Sequence, residues 1–334
     1  MTALTPRIGR TGAASTALPV RPGLRRAQRR RLLTALGMLA PALIGLGLFF
    51  GYPLVASVFY SFTRYNLLSD PQWIGLRNYQ YLFTEDPKVW IAAGNTLWFV
   101  VILVPIRLLT SLGVAALLVR ARQASGFWRT VFYLPALVPP VASVVAFVFL
   151  FNPGTGPVNT ILHALGIQGP LWFNDPSLSK PSLLLLGVWV MGDVMIIFLA
   201  ALLDVPRDQY EAAELDGANA FQRGRYVTFP NIIPVLVFAG VTGVIAALQY
   251  FTEAAVASSV ASGKATVGDA AGAVAGYPDD SLLTYTQWLY VRGFSNFQLG
   301  YASALAVLLF VVAAVFLAVL LRRVKAFTPE EAQS

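Results

Sequence analysis

Apolar residues in this chain fall into six long runs, separated by more polar segments. The runs lie at about 32–60, 90–119, 127–151, 182–203, 232–251 and 301–321. A helix needs about 20 mostly apolar residues to cross a bilayer core, and every run reaches that length. The pattern predicts an all-α membrane protein with six transmembrane helices. An even number of crossings puts both termini on one side.

The basic residues choose the side. With the N-terminus inside, 17 Lys and Arg fall in inner segments and 6 in outer loops. Cytoplasmic segments carry the basic excess, so the N- and C-termini are expected in the cytoplasm. The expected organisation is a basic N-terminal tail (1–31), a membrane domain (32–325) and a cytoplasmic C-terminal tail (326–334). Pro135, Pro139 and Pro140 in the third run, and Gly187 and Gly192 in the fourth, predict kinked helices around a cavity.

The outer loops differ in character. Residues 151–181 carry Asn152-Pro153-Gly154 and Gly156-Pro157, which predict an ordered irregular segment. Residues 252–280 are rich in Ala, Gly and Ser, a composition that predicts a flexible excursion. Residues 281–297 carry Leu283, Tyr285, Trp288 and Leu289 and read as a short amphipathic helix at the outer surface.

Composition agrees with lipid as the solvent. Of the 334 residues, 57% are hydrophobic and 12% charged, against about 25% charged in soluble domains. The net charge of +8 is no nucleic-acid signal, because Arg21, Arg25, Arg26, Arg29, Arg30 and Arg31 stand directly before the first apolar run. That first run is too long for a secretory leader, whose apolar stretch spans about 7–15 residues. Cysteine is absent and His163 is the single histidine. Thiolate or histidine metal clusters and a nucleophile–base–orienter triad are therefore excluded.

Between the fourth and fifth runs lies a cytoplasmic segment with a distinctive order. Residues 210–216 form helix readily, Gly217 permits a sharp turn, and helical pattern resumes until Pro230. A helix–turn–helix lying along the membrane is expected. Glu211-Ala212-Ala213, three residues and then Gly217, with the later Pro230, resembles the EAA loop of binding-protein-dependent ABC importer permeases. The chain is also similar to the carbohydrate-uptake branch of that family, the maltose-type first permease, over roughly 32–325. Asn95-Thr96, Phe132-Tyr133-Leu134-Pro135, Phe151-Asn152-Pro153 and Gly300-Tyr301-Ala302-Ser303-Ala304 carry that second likeness.

The resemblance implies a multi-pass permease subunit of the bacterial cell membrane, forming half of a path for a sugar or oligosaccharide. It implies a second related permease, two ATPase subunits that hold ATP and magnesium, and an extracytoplasmic solute-binding protein. No cofactor on this chain is implied. Glu211, Ala212, Ala213, Glu214, Asp216, Gly217, Ala218, Phe221 and Pro230 would form the ATPase-coupling loop. The chain lacks its own phosphate loop: Ser262-Gly263-Lys264-Ala265 has neither the upstream Gly nor the Ser/Thr such a loop needs. Glycerol phosphate or another polyol-like solute stays open as cargo, as does a carrier that works without an ATPase.

Candidate solute contacts follow from cost. Arg107 and Asp193 are ionisable groups inside apolar runs, and such groups face the bundle interior or water. They either pair with each other or line the solute path. Trp98, Trp189, Gln249, Tyr250 and Glu253 add flat apolar faces and polar groups where the second, fourth and fifth runs are expected to converge.

Overall fold

The structure is a computed structural model, and it describes residues 22–121, 125–264 and 274–324. Contacts divide the chain into two units, at Ala56 and Ser57. In the first unit, helix α1 (Pro22–Leu46) starts ten residues before the first apolar run and passes through a wide turn at Gly47–Gly51 into α2 (Tyr52–Ser61), within which the division falls.

The second unit is helical apart from one two-stranded ribbon, β1 (Thr63–Arg64) with β2 (Gln72–Trp73), among the described residues. After α3 (Arg77–Thr84), α4 (Pro87–Trp98) and α5 (Val104–Arg120) make one long helix, joined by a wide turn at Phe99–Leu103. Two pairs are bent. Residues Gly126–Leu137, beginning in α6 (Ser125–Tyr133), meet α7 (Pro140–Leu150) at 97°. Beyond α8 (Pro157–Ala164), α9 (Ser179–Trp189) meets α10 (Gly192–Asp204) at 47°. Then come α11 (Arg207–Leu215), α12 (Ala220–Arg223), α13 (Phe229–Leu248), α14 (Thr252–Ala261), α15 (Tyr285–Tyr290) and α16 (Leu299–Val324). Four helices are long and apolar enough to cross a membrane, and six segments qualify if each bent pair is one span.

Prolines explain the irregularities. A helical proline lacks an N–H, and its ring presses on the carbonyl four residues back. Pro53, Pro105 and Pro230 each follow a wide turn, at Gly47–Gly51, Phe99–Leu103 and Gly224–Thr228. The N–H groups of Tyr52, Val104 and Phe229 bond five residues back instead of four, so the carbonyl under each proline is already swung aside. The helix therefore continues through Pro230 instead of ending there, and Ala220–Leu248 is one piece. At Val138-Pro139-Pro140 the outcome differs: each proline drives the residue before it into extended backbone, and the chain turns sharply.

The two bends abut. A Cβ on Gly192 would collide with the Phe132 carbonyl oxygen and lie 2.8 Å from the Tyr133 Cα. Neither is a side chain that can rotate away. Gly192→Ala is expected to destabilise the protein by about 1–3 kcal/mol, the usual cost of overpacking. A thermal unfolding midpoint in detergent unchanged from wild type would refute this contact.

Two outer-loop expectations need correction. The 252–280 segment opens as helix α14, whose Ala254, Ala257 and Ser258 are buried; residues 265–273 lie outside the described chain. Small residues that read as flexible by composition instead allow close helix approach. Residues 281–297 lie on the surface only in part: Tyr290, Phe294, Asn296 and Phe297 are exposed. Leu282, Leu283, Tyr285, Trp288 and Val291 are buried, and α15 packs on α4 and α16. Of the aromatic residues that suggested an interface, Tyr285 and Trp288 fill an interior.

Candidate functional site

The α11–α12 corner is built by two complementary stop and start signals. Gly217 takes φ +78°, the left-handed geometry that favours glycine. The Ala218 N–H then donates to the Ala213 carbonyl (2.9 Å) and the Gly217 N–H to the Glu214 carbonyl (3.0 Å), closing the helix end. Asn219 immediately opens the next helix. Its Oδ1 accepts from the Gln222 N–H (2.9 Å) while Gln222 Oε1 accepts from the Asn219 N–H (2.8 Å). These four bonds satisfy backbone groups that the helix ends would otherwise leave open, so the turn is stiff.

Three side-chain links hold α11 against the following helix. Tyr210 Oη and Thr228 Oγ1 are 2.8 Å apart, Asn231 Nδ2 donates to Gln209 Oε1 at 2.7 Å, and Arg223 pairs with Glu214. Glu211, Ala212, Asp216, Phe221 and Pro230 are exposed, whereas Ala213 and Ala218 are half-buried in the turn. Leu215 is 91% and Phe221 77% exposed, an unusual display for large apolar groups beside so ordered a turn. The sequence expectation of two separate short helices is corrected on one point. The second is the leading end of Ala220–Leu248, so the corner is joined directly to a long helix.

A second cluster lies at the α9–α10 break. Arg107 Nη2 donates to Asp193 Oδ1 at 2.7 Å and to the Val190 carbonyl at 3.4 Å, and Ser111 Oγ donates to the Met191 carbonyl at 3.3 Å. The Met191 carbonyl keeps its helical donor, the Met195 N–H (3.0 Å), and gains Ser111 as a second, whereas the Val190 carbonyl at the bend takes its donor from Arg107 on α5. Asp193 sits in the first turn of α10, where the helix dipole favours a negative charge. Of the two readings open from sequence, pairing is therefore realised in the structure.

The pair does not close off the space around it. A cavity of about 210 Å³ and another of about 460 Å³ share Leu103, Arg107, Asp193, Tyr250 and Glu253 in their walls. Gln249 lines the larger one. Burial holds the Glu253 carboxyl above the usual carboxylate range, with the Arg107 charge opposing that shift. Trp98 and Trp189 line neither cavity. Trp98 packs edge-on to Phe99 at 5.3 Å, and Trp189 lies 5.3 Å from the Phe147 ring.

One polar centre escaped sequence reading altogether. The Asp86 carboxylate is buried, and its Oδ2 accepts from Arg292 Nη2 (2.9 Å), Tyr301 Oη (2.9 Å) and Trp288 Nε1 (3.0 Å). The Arg292 guanidinium lies 4.5 Å from the Trp288 ring centroid and 5.5 Å from that of Tyr301. These partners stand 202 to 215 positions from Asp86 in sequence, and no local pattern announces them.

Comparison with known proteins fits this geometry. Residues 108–326 match the family described as the binding-protein-dependent transport system inner membrane component. The probable ABC transporter permease protein YesP of Bacillus subtilis is 36% identical over 289 residues, covering 86% of this chain and 89% of that protein. The sulfoquinovosyl glycerol transport system permease protein SmoG of Agrobacterium fabrum is 32% identical, with 88% and 91% covered. The arabinooligosaccharides transport system permease protein AraP of Bacillus subtilis is 29% identical, with 82% of each covered. The bacterial alginate ABC transporter, solved in complex with its alginate pentasaccharide-bound periplasmic protein, shares the fold: TM-score 0.74 at 21% identity, covering 89% of this chain and 94% of that one. With the family matched across two thirds of its length and YesP across most of the rest, this chain belongs to the inner-membrane components of binding-protein-dependent transport systems, the multi-pass permeases of ABC transporters.

Proposed function

We propose that this chain forms half of the solute path of an ATP-driven carbohydrate importer, and that the 207–231 corner is where a separate ATPase pushes on it. The stiffness of that corner is the observation that carries the reading. A helix end closed on Gly217, capped again at Asn219 and tied by Tyr210–Thr228 moves as one piece with the helix it leads into. Exposed Leu215 and Phe221 give a groove on the ATPase something to grip.

In this reading the chain crosses the membrane six times, each bent pair being one span, with both termini and the corner in the cytoplasm. A second related permease completes the path. Two ATPase subunits hold ATP and magnesium, and an extracytoplasmic binding protein delivers solute. The enzyme chemistry belongs to the ATPases. ATP and the loaded binding protein prefer different states of the complex, which is what allows them to drive alternating access.

The names of SmoG and AraP, together with the alginate transporter's fold, support a sugar or oligosaccharide as cargo. A glycerol phosphate or other polyol-like solute is the runner-up within the same branch. Gln249, Tyr250 and Glu253, with the Arg107–Asp193 pair, would meet it in the paired cavities; Trp98 and Trp189 are left to packing.

A reconstitution test separates this from an ATPase-independent carrier. In vesicles holding both permeases, the ATPase and the binding protein, uptake should require ATP and loaded binding protein. Uptake by this chain alone under an ion gradient would overturn the proposal. The absence of cysteine makes the orientation measurable without background. Leu215→Cys should react with a membrane-impermeant maleimide only when the cytoplasmic face is open, and labelling from the outside would reverse the topology.

A further inference from the structure

Against the corner, walled in part by Tyr210 and Ala220 but not by exposed Leu215 or Phe221, lies a cavity of about 470 Å³ distinct from the solute cavities. That is within the range of ligand sites, about 300–1,000 Å³. Its two long walls change character in the same direction. Along α5, apolar Leu112 and Ala116 lead to Arg120 at the helix C-terminus; along the facing helix, Ile232 and Phe229 lead back to Arg223. Each wall runs roughly 12–14 Å at the helical rise per residue. Arg223 is matched by Glu214, and Arg120 has no ion-pair partner among the described residues.

We infer that this cleft holds one anionic phospholipid of the inner leaflet, its phosphate at Arg120 and an acyl chain along the Leu112–Ala116–Ile232 wall. The inference rests on the proposed topology, which puts the Arg120 end at the cytoplasmic surface. Basic pockets between helices on that face are the expected place for anionic headgroups. A free phosphate uses the arginine but has no use for the apolar wall. An ATPase surface uses exposed Leu215 and Phe221, which do not line the cleft. A lipid uses both ends, and it wedges between the corner and the end of α5, so it sets how firmly the corner is braced. ATP-driven transport therefore rises with the anionic fraction of the bilayer.

The test uses the assembled transporter in nanodiscs of phosphatidylcholine with or without phosphatidylglycerol, followed by native mass spectrometry of retained lipid. Wild type should retain one phosphatidylglycerol in preference to phosphatidylcholine. Arg120→Gln should weaken that retention by about fivefold, the factor expected of one basic residue at an anionic surface. Arg225→Gln removes a nearby exposed charge that does not line the cleft and should leave retention unchanged. Ala116→Phe, at an exposed position, fills the apolar arm and should also cost retention even if Arg120→Gln fails to assemble. Equal losses from Arg120→Gln and Arg225→Gln, no preference for phosphatidylglycerol in wild type, or displacement by inorganic phosphate alone would each overturn the inference. Loss of the ATPase subunits from Arg120→Gln would overturn it too, by assigning the arginine to that interface. Failure of the wild-type complex to assemble would instead count against the proposed function.

Discussion

Gly217→Val is expected to abolish ATP-driven uptake while the chain still inserts and pairs with its partner permease. At φ +78° a side chain costs roughly 1–2 kcal/mol for an ordinary residue, and a β-branched one is a true outlier. No neighbouring atom lies within 4 Å of the position a Cβ would take, so the conflict is with the backbone and not with packing. The chain relieves it by opening the turn, which breaks the Ala218–Ala213 bond and turns α12 away from α11. Uptake then falls because the ATPase meets a corner of the wrong shape. Gly217→Asn is the control, since asparagine tolerates left-handed backbone. It should retain most of the uptake, and ATPase activity stimulated by loaded binding protein should follow the same order. Equal uptake by valine and asparagine variants would end the coupling role of this turn.

The second large effect lies far from the corner in sequence. Arg292→Met removes one member of a buried ion pair and leaves the Asp86 carboxylate, 3% exposed, with only the uncharged Trp288, Tyr301 and Lys88 backbone N–H donors. Removing one partner of such a pair costs about 3–5 kcal/mol. The thermal midpoint of the purified complex should drop by many degrees. The double variant Asp86→Asn with Arg292→Met should recover part of the loss, because it buries no charge. A single variant as stable as wild type would mean that water already reaches the carboxylate. The centre joins the lead-in to α4, the end of α15 and the start of α16, so its loss would loosen three elements together.

The apolar runs marked in sequence the four long helices and two bent pairs that are long and apolar enough to cross a membrane, because lipid imposes a length that few other constraints imitate. The corner was legible for a related reason. A left-handed helix stop needs glycine, so Gly217 leaves a local signature, whereas the capping box of Asn219 and Gln222 emerged only in the structure. What else stayed hidden has no local cause. The Arg292 centre and the Tyr210–Thr228 link join positions that only the folded chain brings together. Composition misread α14, because Ala and Ser suit both loose loops and tight helix contacts. Trp98 and Trp189 have the flat faces a sugar path needs, and packing against Phe99 and Phe147 calls for the same faces. The family-like stretches acquire physical reasons. Asn95 Nδ2 donates to the Asp280 and Leu283 carbonyls, Thr96 Oγ1 accepts from the Tyr285 N–H, and Gly300 fits against the Thr63 carbonyl where a Cβ would collide.

The wide turn at Phe99–Leu103 does more than spare Pro105 a collision. One residue beyond the ordinary repeat advances the helix by about 100°. The α4 half thus turns Asn95 and Thr96 toward the 280–285 backbone, while the α5 half turns Arg107 and Ser111 toward the α9–α10 break. The turn works as a phase shifter between two interfaces carried on one rod. Removing a single residue there would delete little surface, yet it would rotate every contact on one side of the shift out of register with the other.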